Sequence, residues 1–204
     1  MRKSILFSFA AVFLLATGSF CNPAEAQLRK SNGIDFSLQG SVEAPLGDSG
    51  VVRSGAYGVT LTASLPLSTL IDITAGIGYL KFGQTDVSVD SASGKKGTVS
   101  KQYTNYPFFA GIRFVFDGPV LLPYFGGEIS LNDLVYHVTT GVTSASDAAN
   151  TKLGYAILAG ARVPFSSSWS VDATAKYHVI PGDAEQSASR FLSVNLGLAV
   201  HLDL

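Results

Sequence analysis

The stretch Leu192-Ser193-Val194-Asn195-Leu196-Gly197-Leu198-Ala199-Val200-His201-Leu202-Asp203-Leu204 closes the chain, and its reading decides the fold. Every even position carries a large apolar side chain, and the odd positions carry Ser, Asn, Gly, Ala, His and Asp. A period of two is the signature of a β-strand, because successive side chains leave the backbone on opposite faces. The run therefore describes a strand with one apolar face and one polar or small face.

Working towards the N-terminus, the same alternation recurs until about eight strands are counted. Trp169, Val171, Ala173, Ala175, Tyr177 and Val179 form one apolar phase, and Leu153, Tyr155, Ile157, Ala159, Ala161 and Val163 form another. Tyr106, Phe108, Ala110, Ile112, Phe114 and Phe116 alternate with a phase that contains Gly111 and Arg113. Ile71 to Tyr79, Tyr57 to Leu65 and Ile34 to Val42 repeat the pattern. The run from Phe125 to Leu131 is the least regular; its phase slips near Asn132-Asp133, which predicts a β-bulge there.

Connections between these runs alternate in length. Long polar segments, Pro45 to Ser54, Gly83 to Asn105, Val138 to Thr151 and Ile180 to Arg190, follow strands one, three, five and seven. Short ones, Pro66 to Leu70, Asp117 to Leu122 and Pro164 to Ser168, follow strands two, four and six. An even-numbered membrane barrel with both termini in the periplasm has this arrangement, with long loops outside and short turns inside. The expected fold is all-β: an eight-stranded antiparallel up-and-down transmembrane β-barrel. A soluble barrel would alternate in the same way with the apolar face turned inward. Its solvent face would then be the Gly, Ser, Thr and Ala phase, with few charges, which makes a poor solvated surface.

Aromatic placement agrees with a membrane barrel, whose interfaces are marked by aromatic girdles. Tyr57, Tyr79, Tyr106, Tyr155 and Tyr177 fall at the outer strand ends in the apolar phase, and Tyr136 joins them if the slip in strand five is real. Phe36, Phe116, Phe125 and Trp169 fall at the opposite ends.

The first residues read as a secretory signal. Met1-Arg2-Lys3 is basic, Ser4 to Ala16 is apolar, and Ala24-Glu25-Ala26 ends in small residues. That run is shorter than the roughly 20 residues of a spanning helix. Cleavage is expected between Ala26 and Gln27, giving residues 1–26 as signal and 27–204 as one barrel domain. The single cysteine, Cys21, lies in this leader and follows Phe20 rather than a small residue, which argues against a lipid anchor. Residues 27–204 hold no cysteine, so disulfides and thiolate metal sites are excluded there. A net charge of −1 and a pI near 6.3 argue against a nucleic-acid partner. Charged residues make up 14% of the chain and the mean hydropathy is +0.30, without a second helical apolar run.

Tyr106-Pro107-Phe108-Phe109-Ala110-Gly111-Ile112-Arg113-Phe114, Leu122-Pro123-Tyr124-Phe125-Gly126-Gly127-Glu128 and the C-terminal run resemble the small outer-membrane β-barrel proteins of the OmpA, OmpX and Ail type. The likeness spans residues 27–204 and rests on patterned strands. Such proteins usually end in Phe, where this chain has Leu204, and no peptidoglycan-binding domain follows the barrel as in full-length OmpA. The resemblance implies a place in the outer membrane of a Gram-negative bacterium. It also implies contact with outer-membrane lipids and lipopolysaccharide, and hand-off to the barrel-assembly machinery.

With the polar phase inside, Asp72, Arg113, Glu128, Arg162 and Asp172 stand in the lumen, where unpaired charges are costly. Arg113 with Glu128 and Arg162 with Asp172 are expected to pair across hairpins. Eight strands leave room only for side chains, so a plugged lumen is expected rather than an aqueous channel. His137, His178 and His201 are the chain's histidines. A lipid A deacylase of similar barrel size uses a His-x-Ser pair, and the nearest spacing here is His137-Val138-Thr139, so no catalytic, metal or cofactor site is assigned. His137 and His178 read as interfacial residues and His201 as a lumen residue.

The Gly83 to Asn105 loop alternates beyond the membrane span around Ser93-Gly94-Lys95-Lys96-Gly97, which predicts a hairpin above the surface. Through it the chain is expected to meet an extracellular partner, as OmpX and Ail present protruding strands. Lys95, Lys96 and Lys101 there are nearly balanced by Asp86 and Asp90. The expected function is a structural or surface-interaction protein, the alternatives being a lipid A-modifying enzyme and a small channel for hydrophobic molecules.

Overall fold

A computed structural model describes residues 33–46, 54–90, 96–118, 120–140, 143–182 and 188–203, with the backbone alone for 85–90, 96–99, 101 and 138–149. The Ala26/Gln27 cleavage site and Lys95 lie outside the described residues. Nine strands are present among those described: β1 (Ile34–Pro45), β2 (Ala56–Pro66), β3 (Ile71–Phe82), β4 (Thr85–Asp90), β5 (Lys96–Val115), β6 (Leu122–Thr140), β7 (Thr143–Pro164), β8 (Trp169–Ile180) and β9 (Ser189–Leu202). Each pairs antiparallel with its neighbours, β1 pairs with β9, and β3 pairs with β5, so eight strands close a barrel. Closure removes every free edge inside the ring.

The ninth strand, β4, stays outside the ring and pairs with β5 alone, from Thr85↔Lys101 to Asp90↔Lys96. This is the hairpin expected within the Gly83 to Asn105 segment. A second extension was not expected. Val138 to Thr151 is read above as a loop, yet β6 and β7 continue through it as a ladder that reaches Thr140↔Thr143. β-branched Val138, Thr139, Thr140 and Thr143 suit extended backbone, and pairing with β5 as far as Val99↔Thr140 joins the two hairpins into one raised sheet.

The bulge also lies elsewhere. Alternation continues unbroken through buried Ser130, Asn132 and Leu134, and the register against β7 shifts between Leu134 and Tyr136. Asn132 keeps its phase because its amide has partners inside: Nδ2 donates to Ser130 Oγ at 2.9 Å and its Oδ1 accepts from Asn105 Nδ2 at 3.0 Å.

Phase decides which side chains turn outward. Leu38, Val59, Ile77, Phe108, Ile129, Ile157, Val194 and Leu198 are exposed, while Ser37, Gln39, Thr62, Thr74, Thr174, Ser193 and Asn195 are buried. The barrel is apolar outside and polar inside, the inverse of a water-soluble one. Among the described residues no helix is long and apolar enough to cross a membrane; the apolar surface is carried by strands.

Candidate functional site: the lumen and the raised sheet

At the short-turn end of the lumen a carboxylate network is assembled by five strands. Asp172 is fully buried on β8; Tyr124 of β6 donates its hydroxyl to Asp172 Oδ1 at 2.6 Å, and Ser37 of β1 donates to Oδ2 at 3.3 Å. Tyr124 reaches across β7 because its cross-strand partner is Gly160, where a Cβ would meet the Tyr124 ring at 2.4 Å. Arg162 of β7 bonds Asp35 through Nη1 and lies 3.6 Å from Asp172 through Nη2. His201 Nδ1 sits 2.7 Å from the other oxygen of Asp35. One guanidinium thus serves two carboxylates, an arrangement that offsets part of the desolvation cost of each.

Arg113 and Glu128 do not form the expected hairpin pair. Glu128 stands opposite Gly111, and Arg113 stands opposite Gly126 on one side and Asp72 on the other. The Arg113 guanidinium lies over the Tyr124 ring at 4.9 Å. Glu128 instead receives Lys176 from β8, whose Nζ is 2.9 and 3.1 Å from the two carboxylate oxygens. In so narrow a barrel a long side chain reaches a non-adjacent strand, so adjacency does not dictate pairing. Lys176 also rests 4.5 Å from the Phe109 ring centroid, a cation–π contact in a desolvated setting.

The loop end carries a feature absent from the sequence reading. Ala56, Leu80, Phe82, Ile180 and Phe191 are buried in one cluster with Tyr103 packed against it. All belong to the phase that is polar lower down. Phe82 and Phe191 meet at 5.6 Å between ring centroids. They form an apolar lid over the charged lumen. Doubled apolar pairs at the strand ends, Tyr79-Leu80, Val179-Ile180 and Phe191-Leu192, are its trace in the sequence.

Tyr57, Tyr79, Tyr106 and Tyr155 are exposed on the outer wall, and Tyr177 pairs there with Ile157 and Leu192. Tyr79 and Tyr106 pack edge to face at 5.5 Å. Tyr136 is a correction to the belt: it pairs with Tyr103 on the lid side, ring centroids 4.8 Å apart, because alternation does not slip where a slip was expected. At the short-turn end Phe125 stacks with Phe114 and Phe116.

The histidines are dispersed. His137 is exposed on β6. His178 faces the lumen rather than an interface, its Nε2 3.9 Å from Glu43 Oε1. His201 contacts Asp35 and Asp203. Among the described residues no group of three or more His, Cys, Asp or Glu side chains is placed to hold a metal.

The sequence model of a family described as "Outer membrane protein beta-barrel domain" matches residues 11–201. The chain belongs to this family. Solved outer-membrane barrels agree on the fold. Neisserial surface protein A is 14% identical, with 85% of this chain and 98% of that one covered and a TM-score of 0.60. Ail, the attachment invasion locus protein of Yersinia pestis, in complex with the heparin analogue sucrose octasulfate, is also 14% identical, with 84% and 97% covered and a TM-score of 0.52. No curated protein matches the chain.

Proposed function

We propose that this outer-membrane barrel is a non-enzymatic surface-interaction protein of a Gram-negative bacterium, its lumen plugged by side chains and its raised sheet the contact surface. The observation that carries this reading is the continuous ladder β4-β5-β6-β7 above the rim, from Thr85↔Lys101 through Val99↔Thr140 to Thr140↔Thr143. β5, β6 and β7, of 20, 19 and 22 residues, exceed the roughly 9–11 residues a membrane crossing needs. The surplus stands where a partner has access. In this reading residues 1–26 are removed on export, the barrel-assembly machinery inserts the remainder, and the tyrosine belt meets lipopolysaccharide and lipid headgroups.

The lid and the Lys176–Glu128 pair favour a closed lumen over a channel, and the histidine contacts are to carboxylates rather than to a nucleophile. Since Ail was solved with a heparin analogue, sulfated polysaccharide is a first ligand to try on Lys95, Lys96 and Lys101. The test of orientation is an epitope inserted between Ser93 and Gly94, compared with one in the Asp117 to Leu121 turn. The first is detected by antibody on intact cells and the second after permeabilisation; the reverse pattern overturns the reading. Lipid A from expressing cells keeps its acylation; a change abolished by His137→Ala or His178→Ala contradicts the non-enzymatic assignment.

A further inference from the structure

Across β2, β3 and β5 the outward residues Ala63, Ala75 and Ala110 stand directly opposite one another. The adjacent row towards the loops carries Leu61, Ile77 and Phe108 in the same register. Missing bulk beside large side chains forms the middle of a groove of about 580 Å³ in the outer wall, whose lining continues to Phe36 of β1 on one side and to Ile129, Leu131 and Leu153 of β6 and β7 on the other. That volume lies within the roughly 300–1,000 Å³ of clefts that hold small ligands.

The groove goes deeper than the outward side chains. Gly76 and Phe109, both of the lumen phase, line it as well. A Cβ at Gly76 would meet the Phe109 ring at 2.4 Å, so the ring occupies the space the glycine leaves. Just above, the β3–β5 ladder is interrupted: pairing runs to Ile77↔Phe108 and resumes at Leu80↔Asn105, skipping Pro107, which has no N–H to donate. Phe109 thus separates the groove from the Lys176 ammonium that rests on its ring.

We infer that this groove binds one acyl chain of a phospholipid from the leaflet at the short-turn end. The inference rests on the outer-membrane reading. Continuity decides the occupant, because the groove opens within the apolar belt that faces lipid, and Ala63, Ala75 and Ala110 lie nearer the short-turn ends of their strands. Its lining is apolar apart from Ser130, whose hydroxyl already accepts the Asn132 amide. A methylene chain asks for no hydrogen bond. Lipid and wall are equally apolar, so hydrophobic transfer does not favour one position over another and van der Waals contact decides. A concave wall touches the chain on more sides than a convex one and holds it longer.

The experiment uses the mature protein refolded into phosphatidylethanolamine–phosphatidylglycerol vesicles that carry a phospholipid with a diazirine on one acyl chain. After photolysis, mass spectrometry maps the labelled peptides. The expected result is enrichment on β2, β3 and β5 around Ala75 and Ala110, lost in Ala110→Trp and kept in Ala173→Trp on the opposite wall. Even labelling around the belt overturns the groove site while leaving the membrane reading intact. Absence of labelling at every outward position overturns both. Because the wild-type map alone decides between these outcomes, the inference does not depend on a variant folding.

Discussion

Lys176 on β8 grips both carboxylate oxygens of Glu128 on β6, at 2.9 and 3.1 Å, across the strand that separates them. Both side chains are almost wholly buried. Removing one partner strands the other charge, so Lys176→Met is expected to destabilise the barrel by about 3–5 kcal/mol. Lys176→Met with Glu128→Gln is expected to cost less than the sum of the single changes. Urea unfolding in lipid vesicles measures the coupling. The cycle of Arg113→Ala with Glu128→Ala is expected to show the weaker coupling of the two, and the opposite order would restore the hairpin pair read from the sequence.

The lid predicts a second effect. Phe82 and Phe191 touch, so Phe82→Ala is expected to cost about 3–5 kcal/mol, and the two alanine changes together less than their sum. Cys21 is the chain's one cysteine and is left out of a protein produced from Gln27 onward, so a reporter thiol can be placed beneath the lid. Ser193→Cys is expected to react slowly with a charged maleimide added from outside, and faster once Phe82→Ala is added. Equal rates would show that the cluster does not close the lumen.

How much of this was legible in the sequence follows from what alternation encodes. It encodes face, which is why the ring of eight strands, the outward tyrosines of β2, β3, β5, β7 and β8, and the inward placement of Asp72, Arg113, Glu128, Arg162 and Asp172 could be read directly. It does not encode reach. Lys176 is one residue before an outward tyrosine and has the right phase, but nothing local says that its ammonium extends past β7 to Glu128. Alternation also treats every inward position alike, so it does not mark Leu80, Phe82, Ile180 and Phe191 as a shared cluster. Tyr136 was misplaced for a related reason: Asn132 and Asp133 suggested a slip, but buried amide hydrogen bonds hold Asn132 in phase.

Depth in the membrane gives a third prediction. Ile77 is exposed midway along the apolar belt, and Tyr57 is exposed at its loop end. Arginine on the lipid face of a barrel costs about 2–4 kcal/mol at the midplane and about 0–1 kcal/mol near an interface. Ile77→Arg is therefore expected to destabilise the barrel more than Tyr57→Arg, measured by unfolding in vesicles. Equal costs would contradict the placement of the belt.

The most direct test of a closed, side-chain-filled barrel is a planar-bilayer recording of the refolded wild-type protein. A lumen occupied by the Asp35–Arg162–Asp172 network, the Lys176–Glu128 pair and the Phe82–Phe191 lid predicts no steady ion conductance above the bare membrane, whereas steady, reproducible conductance steps from the wild-type chain would contradict the account.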